Sequence, residues 1–325
     1  MPVLSYREAV AQALQEALDE DDRVFLMGED IGPYGGAFAV TRGFWEKYGQ
    51  RRIKDSPLSE SVITGAGVGA AMAGLRPVVE LMTINFSLLS IDQIVNHAAK
   101  IRYMSGGQFS VPLIVRTVTG AGASVAATHS QSLEGWYSSV PGLQVVVPST
   151  PHDALGLFRS CRELLDPVMF VEHILLYSTR GEVPETAYKI PLGQADIKRP
   201  GSDVTIVSYS RMVQVSLDAA EELAQDGIQA EVVDLRTLRP LDAETVVNSV
   251  KKTHKALVVE ETSKFGGFSG EVVSQLQEDA FEYLDAPVAR VAGEEVPIPY
   301  SLPLERLATP DAERVAQAVR NLVGR

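Results

Sequence analysis

The chain has 325 residues, 45% of them apolar, and a formal charge of −13. That length exceeds one ordinary domain and suits two of roughly 100–200 residues, each with enough apolar material for a core. The acid excess argues against nucleic acid or an anionic membrane surface as partner, since both need clustered Lys and Arg, and it leaves room for a basic protein. One cysteine, Cys161, rules out an intrachain disulfide and a thiolate metal cluster; within a helical pattern it reads as packing.

In chain order, Ser5 and Glu8 have capping-box spacing ahead of the stripe Val10, Leu14, Leu18. The sequence therefore opens into a helix with no signal- or transit-peptide pattern, which points to a cytoplasmic protein or the mature form of an imported one. Short apolar runs at 23–28, 77–82, 112–117, 143–147 and 168–171 suit buried parallel strands. Helical patterns lie between them at 90–104 and 151–165, the latter opening on Thr150-Pro151. The longest apolar region, 62–73, is too short to cross a bilayer. Residues 178–203 hold Pro184, Pro191 and Pro200 and read as a linker. A second series follows, with strands expected at 204–209, 230–235, 256–260 and 288–291 and helices at 212–225, 242–252, 270–284 and 311–323. The pattern predicts an α/β fold of two domains, 1–180 and 204–325, each with a mainly parallel sheet flanked by helices and joined by 181–203.

Gly65-Ala66-Gly67-Val68-Gly69-Ala70 matches the dinucleotide fingerprint, but the preceding 55–60 reads as a turn rather than the strand that this fingerprint requires. The better reading is a closely packed helix. Glu60, just before those glycines, would ordinarily be a first-turn acid. His129 sits in the polar loop 126–132 and alone could be any surface histidine.

Context changes both readings. Asp55-Ser-Pro-Leu-Ser-Glu60, the Gly-rich run to Pro77, and Glu80-Leu-Met-Thr-Ile-Asn-Phe86 resemble the pyrimidine-binding domain of the transketolase superfamily, and within it the β subunits of thiamine-diphosphate-dependent 2-oxo acid dehydrogenases. Gly28-Glu-Asp-Ile31, Tyr103-Met-Ser-Gly-Gly107, Thr128-His-Ser-Gln-Ser132 and Pro141-Gly-Leu143 follow in the family's order. Asp234 to Asp242, Val259-Glu-Glu-Thr262 and Arg290 to Tyr300 resemble its C-terminal domain, so the likeness covers nearly the whole chain. The resemblance implies that Glu60 meets the pyrimidine ring nitrogen N1′ of thiamine diphosphate and promotes the imino tautomer that removes the C2 proton; a partly desolvated carboxyl suits this work. It places Phe86 on the pyrimidine, Leu58 and Met82 along its pocket, and Glu29 at the rim. It gives His129 a proton-transfer role toward the lipoyl acceptor. Diphosphate binding through Mg²⁺ uses a Gly-Asp-Gly motif that this chain lacks, so the resemblance assigns Mg²⁺ to an α subunit in an α2β2 assembly with a second β subunit. It also suggests a structural K⁺ held by carbonyls near Leu113, Cys161, Arg162, Leu164 and Asp166. One departure is 116–120, where many relatives carry a Gly-Pro pair.

The expected reaction is oxidative decarboxylation of a 2-oxo acid, with pyruvate favoured by Glu172 to Tyr177 and the tail, and with acyl transfer to a lipoyl group. Branched-chain and acetoin dehydrogenase subunits are the near alternatives. A non-catalytic assembly subunit is opposed by Glu60 and His129, and a self-sufficient transketolase by the missing diphosphate motif. Acids Glu260, Glu261, Glu278, Asp279, Glu282 and Asp285 are expected to help dock the basic peripheral domain of a lipoyl acyltransferase core.

Overall fold

The computed structural model describes residues 1–324. The chain forms two compact units, Met1–Thr119 with Trp136–Leu192, and Gly120–Gly135 with Gly193–Arg325. Its strands in chain order are β1 Val3–Ser5, β2 Val24–Glu29, β3 Ile53–Ser56, β4 Arg76–Leu81, β5 Ile114–Thr119, β6 Gln144–Val146, β7 Val168–His173, β8 Arg180–Glu182, β9 Asp196–Arg199, β10 Val204–Ser208, β11 Ala230–Asp234, β12 Thr237–Arg239, β13 Ala256–Ser263 and β14 Ala289–Gly293. The α-helices are α1 Tyr6–Glu20, α2 Phe44–Arg52, α3 Glu60–Met72, α4 Ile101–Met104, α5 Glu134–Ser138, α6 Pro151–Cys161, α7 Met212–Gln225, α8 Ala243–Thr253, α9 Ser269–Asp279, α10 Leu302–Ala308 and α11 Ala312–Val323.

In the first unit the strands run β6-β7-β5-β4-β2-β3, every neighbouring pair parallel. β5 and β7 are buried along their whole length, which is why they read as unbroken apolar runs rather than alternating ones. Ser5 caps α1 with the reciprocal Glu8 bond expected from their spacing. The stripe from Tyr6 through Val10 and Leu14 to Leu18 then packs with Leu155, Phe158 and Phe170 in one core. Each such side chain contributes roughly 1.5–3 kcal/mol by leaving water. On α3 the glycines lie within the helix, beyond its first turn, so their backbone groups belong to the helix rather than to an anion cradle. A Cβ at Gly67 would stand 2.8 Å from Val79 Cγ1 and 3.0 Å from Leu113 Cδ1, so the small residue lets α3 lie close on the sheet.

The second unit has the order β14-β13-β10-β11-β9, parallel except for β9. α7 and α11 cover it around Leu223, Val315 and Val319.

Several boundaries differ from the sequence reading. Residues 53–56, whose last two fall in the 55–60 stretch read as turn, form the edge strand β3. The expected helix 90–104 is broken into a 3-10 helix Ile84–Ser90, a π-helix Gln93–Ala98 and the single turn α4. The wider π turn closes through Ala99 N–H to Ile94 O at 3.0 Å and turns Ile94, Ala98 and Ala99 inward together. α6 stops at Cys161 rather than 165, and α9 stops at Asp279, followed by one 3-10 turn, Phe281–Tyr283. The stretch read as a linker carries β8, which pairs with β1, and β9, which pairs with β11. Residues 120–135 group with the second unit, although the sequence places them in the middle of the first.

Candidate active site

In the first unit the carboxyl ends of β2 and β4 and the start of α3 meet at one edge of a parallel sheet, the usual place for ligands in such folds. Register pairs Gly28 with Glu80, and a Cβ on Gly28 would lie 2.9 Å from Glu80 Cβ and from Glu80 O. Glycine there lets Glu29 close the strand beside its neighbour. Glu29 is 4% exposed, and neither carboxylate oxygen has a hydrogen-bond partner among the described residues. Burial pushes its pKa up to about 6, helped by the charges of Glu60, Asp30 and Glu80 and opposed by the nearby Ser59 backbone N–H.

Glu60 is the first residue of α3 and is buried, with no side-chain cap from Ser59. The helix N-terminus and the neighbouring Glu29 thus act on it from two sides. Met82 directly follows β4, and Phe86 lies in the 3-10 helix that packs on α3 and β4; both are half-buried and stand outside the core. Leu58 is 78% exposed in the loop entering α3. Glu29, Glu60, Met82 and Phe86 are thus gathered at one sheet edge, and Leu58 at the approach to it.

Sequence reasoning missed what lies beneath. Arg116 on β5 is fully enclosed, donates to both carboxylate oxygens of Glu172 on β7, and reaches Glu80 on β4. Tyr177 donates to Glu172 at 2.7 Å and completes the network. Burial opposes charge on Arg116, but Glu172 and Glu80 hold its pKa well above the ordinary guanidinium value. The signal was present: Glu80, Arg116 and Glu172 each stand inside a mainly apolar strand sequence.

His129 belongs to the second unit. It is exposed, its Nδ1 lies 2.9 Å from Thr128 Oγ1, and its N–H donates to Ala126 O at 3.1 Å. The expected K⁺ ligands lie around the turn after α6. There the carbonyls of Arg162 and Leu164 accept from Arg76 Nη1 at 2.6 and 3.2 Å, and Leu113 O accepts from Val168 N–H. The Asp166 carboxylate pairs with Arg102. A cavity of about 20 Å³, room for one water-sized species, is bounded by Arg76, Pro112, Cys161, Arg162 and Leu164 among others. Cys161 is buried, which pushes its thiol pKa up and suits packing rather than nucleophilic work.

Two of the acids expected at a docking surface are not at a surface. Glu260 is fully buried and bonded to Ser269, and Glu261 is 9% exposed and accepts from Ala121 N–H. Both sit on β13, whose burial the sequence shows only in the apolar residues before them. Glu278, Asp279, Glu282 and Asp285 are exposed.

Two α/β units, with paired carboxylates at a sheet edge against a helix N-terminus, define a protein of the transketolase type. Family profiles agree: the transketolase pyrimidine-binding domain matches residues 3–179 and the transketolase C-terminal domain residues 193–315. A solved structure described as a split gene transketolase, inactive β4 tetramer, superposes with a TM-score of 0.81 at 23% identity, covering 99% of this chain and 98% of that one. A pyruvate dehydrogenase E1 component subunit β-1, mitochondrial, from Arabidopsis thaliana is 48% identical across 97% of this chain and 88% of its own length. The pyruvate dehydrogenase E1 component subunit β of Rickettsia felis is 47% identical across 98% of each. The chain belongs to the family of pyruvate dehydrogenase E1 component β subunits. No helix among the described residues is long and apolar enough to cross a membrane.

Proposed function

We propose that this chain is the β subunit of a pyruvate dehydrogenase first component, working with an α subunit in an α2β2 assembly. The observation that carries the reading is the buried pair Glu29–Glu60 at the carboxyl edge of the sheet, one of them without a hydrogen-bond partner. Two carboxylates buried side by side are costly, and a ring nitrogen that shares a proton with Glu60 relieves that cost. Thiamine diphosphate fits this site, and when bound it supplies the thiazolium carbon at which 2-oxo acids are decarboxylated. Glu60 holds and returns a proton at N1′ of its pyrimidine. Phe86 orients that ring by stacking, Met82 shields it from water, and Leu58 covers the entrance. Glu29 keeps the surroundings of Glu60 acidic. His129 moves a proton as the acyl group passes to a lipoyl acceptor.

The diphosphate end needs other residues. The sequence has no Gly-Asp-Gly, and no group of three or more His, Cys, Asp or Glu among the described residues could hold a metal ion. Mg²⁺ and the diphosphate therefore fall to the α subunit. Exposed apolar side chains on α3 and the segments after it, namely Val62, Leu88, Leu89, Ile91, Tyr103 and Met104, support a covering partner chain. A second β subunit and a lipoyl acyltransferase core complete the assembly, in a cytoplasmic or organelle-matrix setting. Pyruvate as the substrate rests on the names of the relatives. Calorimetric titration tests the split site: thiamine diphosphate with Mg²⁺ binds weakly to this chain alone and tightly with its α partner. Tight Mg²⁺-dependent binding by the isolated chain overturns it.

K⁺ remains part of the reading, in the small cavity beside the carbonyls of Cys161, Arg162 and Leu164, where it competes with the guanidinium of Arg76. A melting temperature raised by KCl over choline chloride at equal ionic strength supports it. Equal values leave Arg76 as the cation of that turn.

A further inference from the structure

His129 is carried on a segment whose backbone is held in an uncommon shape. Between Gly120 and Ala126 the φ angle is positive at Gly120, Gly122, Ser124 and Ala126, and two of these residues are not glycine. Such residues hold the left-handed region only where their surroundings over-determine it. The surroundings here are two buried carboxylates. Glu305 on α10 is 1% exposed; its Oε1 accepts from Gly122 N–H at 2.7 Å and its Oε2 from Ser124 N–H at 3.1 Å. Glu261 on β13 accepts from Ala121 N–H at 2.7 Å and from Ser132 Oγ at 3.4 Å. One carboxylate thus grips the segment twice before His129, and the other grips it on both sides of the histidine. All of these contacts lie within the second unit.

We propose that Glu305 and Glu261 are positioning residues for His129: their carboxylates clamp the backbone N–H groups of Ala121, Gly122 and Ser124 and so fix the loop that presents the imidazole. An ionised acceptor makes these bonds roughly twice as strong as neutral ones. A neutral amide in its place turns an N–H toward a backbone N–H, which breaks one of the two grips of Glu305 and leaves the other. The C-terminal domain thereby takes part in the reaction by setting where His129 stands, although neither acid touches a reacting atom. The inference rests on the acyl-transfer role proposed for His129.

The experiment compares Glu305→Gln, Glu305→Ala and Glu261→Gln with the parent chain, each assembled with its α partner. Amide hydrogen exchange is read first. Protection at Gly122 and Ser124 falls partly in Glu305→Gln and fully in Glu305→Ala, and protection at Ala121 falls in Glu261→Gln. Acetyl transfer to a lipoyl domain and pyruvate decarboxylation with an artificial electron acceptor are read second. Misplacement of a reacting group by about 1 Å costs on the order of 10²-fold, so transfer falls by that order in Glu305→Ala while the artificial-acceptor rate stays within about twofold. Unchanged exchange at Ala121, Gly122 and Ser124 overturns the clamp. Equal loss in both assays overturns the link to His129, because a loosened fold lowers both. If Glu305→Ala does not assemble, the Gln variants carry the same comparison. His129→Ala, measured alongside, tests the underlying role separately: if it leaves transfer intact, that role fails while the exchange data still judge the clamp.

Discussion

Replacing Glu29 by Gln should stabilise the chain, and only at a pH where the carboxyl is ionised. The rise from 4.5 to about 6 corresponds to about 2 kcal/mol between the two protonation states. The site opens toward solvent at Leu58, and screening there reduces the figure to about 1–2 kcal/mol. Between pH 4.5 and 6 the folded chain binds this proton more tightly than the unfolded chain does. Stability therefore falls as pH rises through that window, and the full penalty stands above it. Glu29→Gln removes the penalty: it gains about 1–2 kcal/mol at pH 7.5, roughly half of that near pH 5.2, and nothing below 4.5. Urea denaturation of parent and variant between pH 5.2 and 8, above the isoelectric point of 4.9, measures this directly. A gain that does not change with pH, or a loss at pH 7.5, refutes the argument from desolvation and the neighbouring carboxylates.

Glu60→Gln keeps the size and removes the titrating proton, so proton exchange at the cofactor C2, followed by NMR in the assembled enzyme, slows by roughly 10²–10⁴-fold; exchange at the parental rate removes Glu60 from the mechanism. Arg116→Met strands two buried carboxylates and costs about 3–5 kcal/mol in urea denaturation, whereas a cost under about 1 kcal/mol means that Glu80 and Glu172 accept protons without penalty. Neutralising Glu278, Asp279, Glu282 and Asp285 together slows association with the acyltransferase, and the parental association rate falls steeply with salt as the Debye length shrinks below about 8 Å; a rate indifferent to salt in surface plasmon resonance leaves these acids as a solubility feature.

The central parallel strands were legible because strands covered on both faces form short, mainly apolar runs, as at 114–119 and 168–173, whereas β3, β8 and β9 were not. Two helix caps were equally legible: Ser5 and Thr150 each accept a backbone N–H from three residues ahead. What failed depended on contacts far along the chain. The 84–104 region is apolar enough for one helix, but packing against α3 draws it into 3-10, π and α turns, with a Thr64–Ser90 hydroxyl bond of 3.0 Å. Glu260 and Glu261 looked like surface acids because no local pattern shows that Arg290 and Ser269 meet one and Ala121 the other. Glu60 and Glu29 were found through spaced motifs; the pairing that raises the Glu29 pKa required the fold.

The charge arrangement at the sheet edge bears on how the proposed site is held in the isolated chain. Arg116 is an enclosed cation of the first unit beneath that edge, and Glu172 and Glu80 pair with it. Glu80 also adds to the potential that raises the Glu29 pKa. The network below therefore fixes geometry without neutralising the acids above it. At pH 7 the edge keeps an excess of negative charge, and part of the folding free energy is held as repulsion between neighbouring carboxylates. On the proposed reading, a cofactor whose ring nitrogen shares a proton with Glu60, and which carries a positive charge nearby, relieves that repulsion. On that reading, the cost of burying Glu29 at the end of β2, about 1–2 kcal/mol in the isolated chain, is offset when the cofactor is bound.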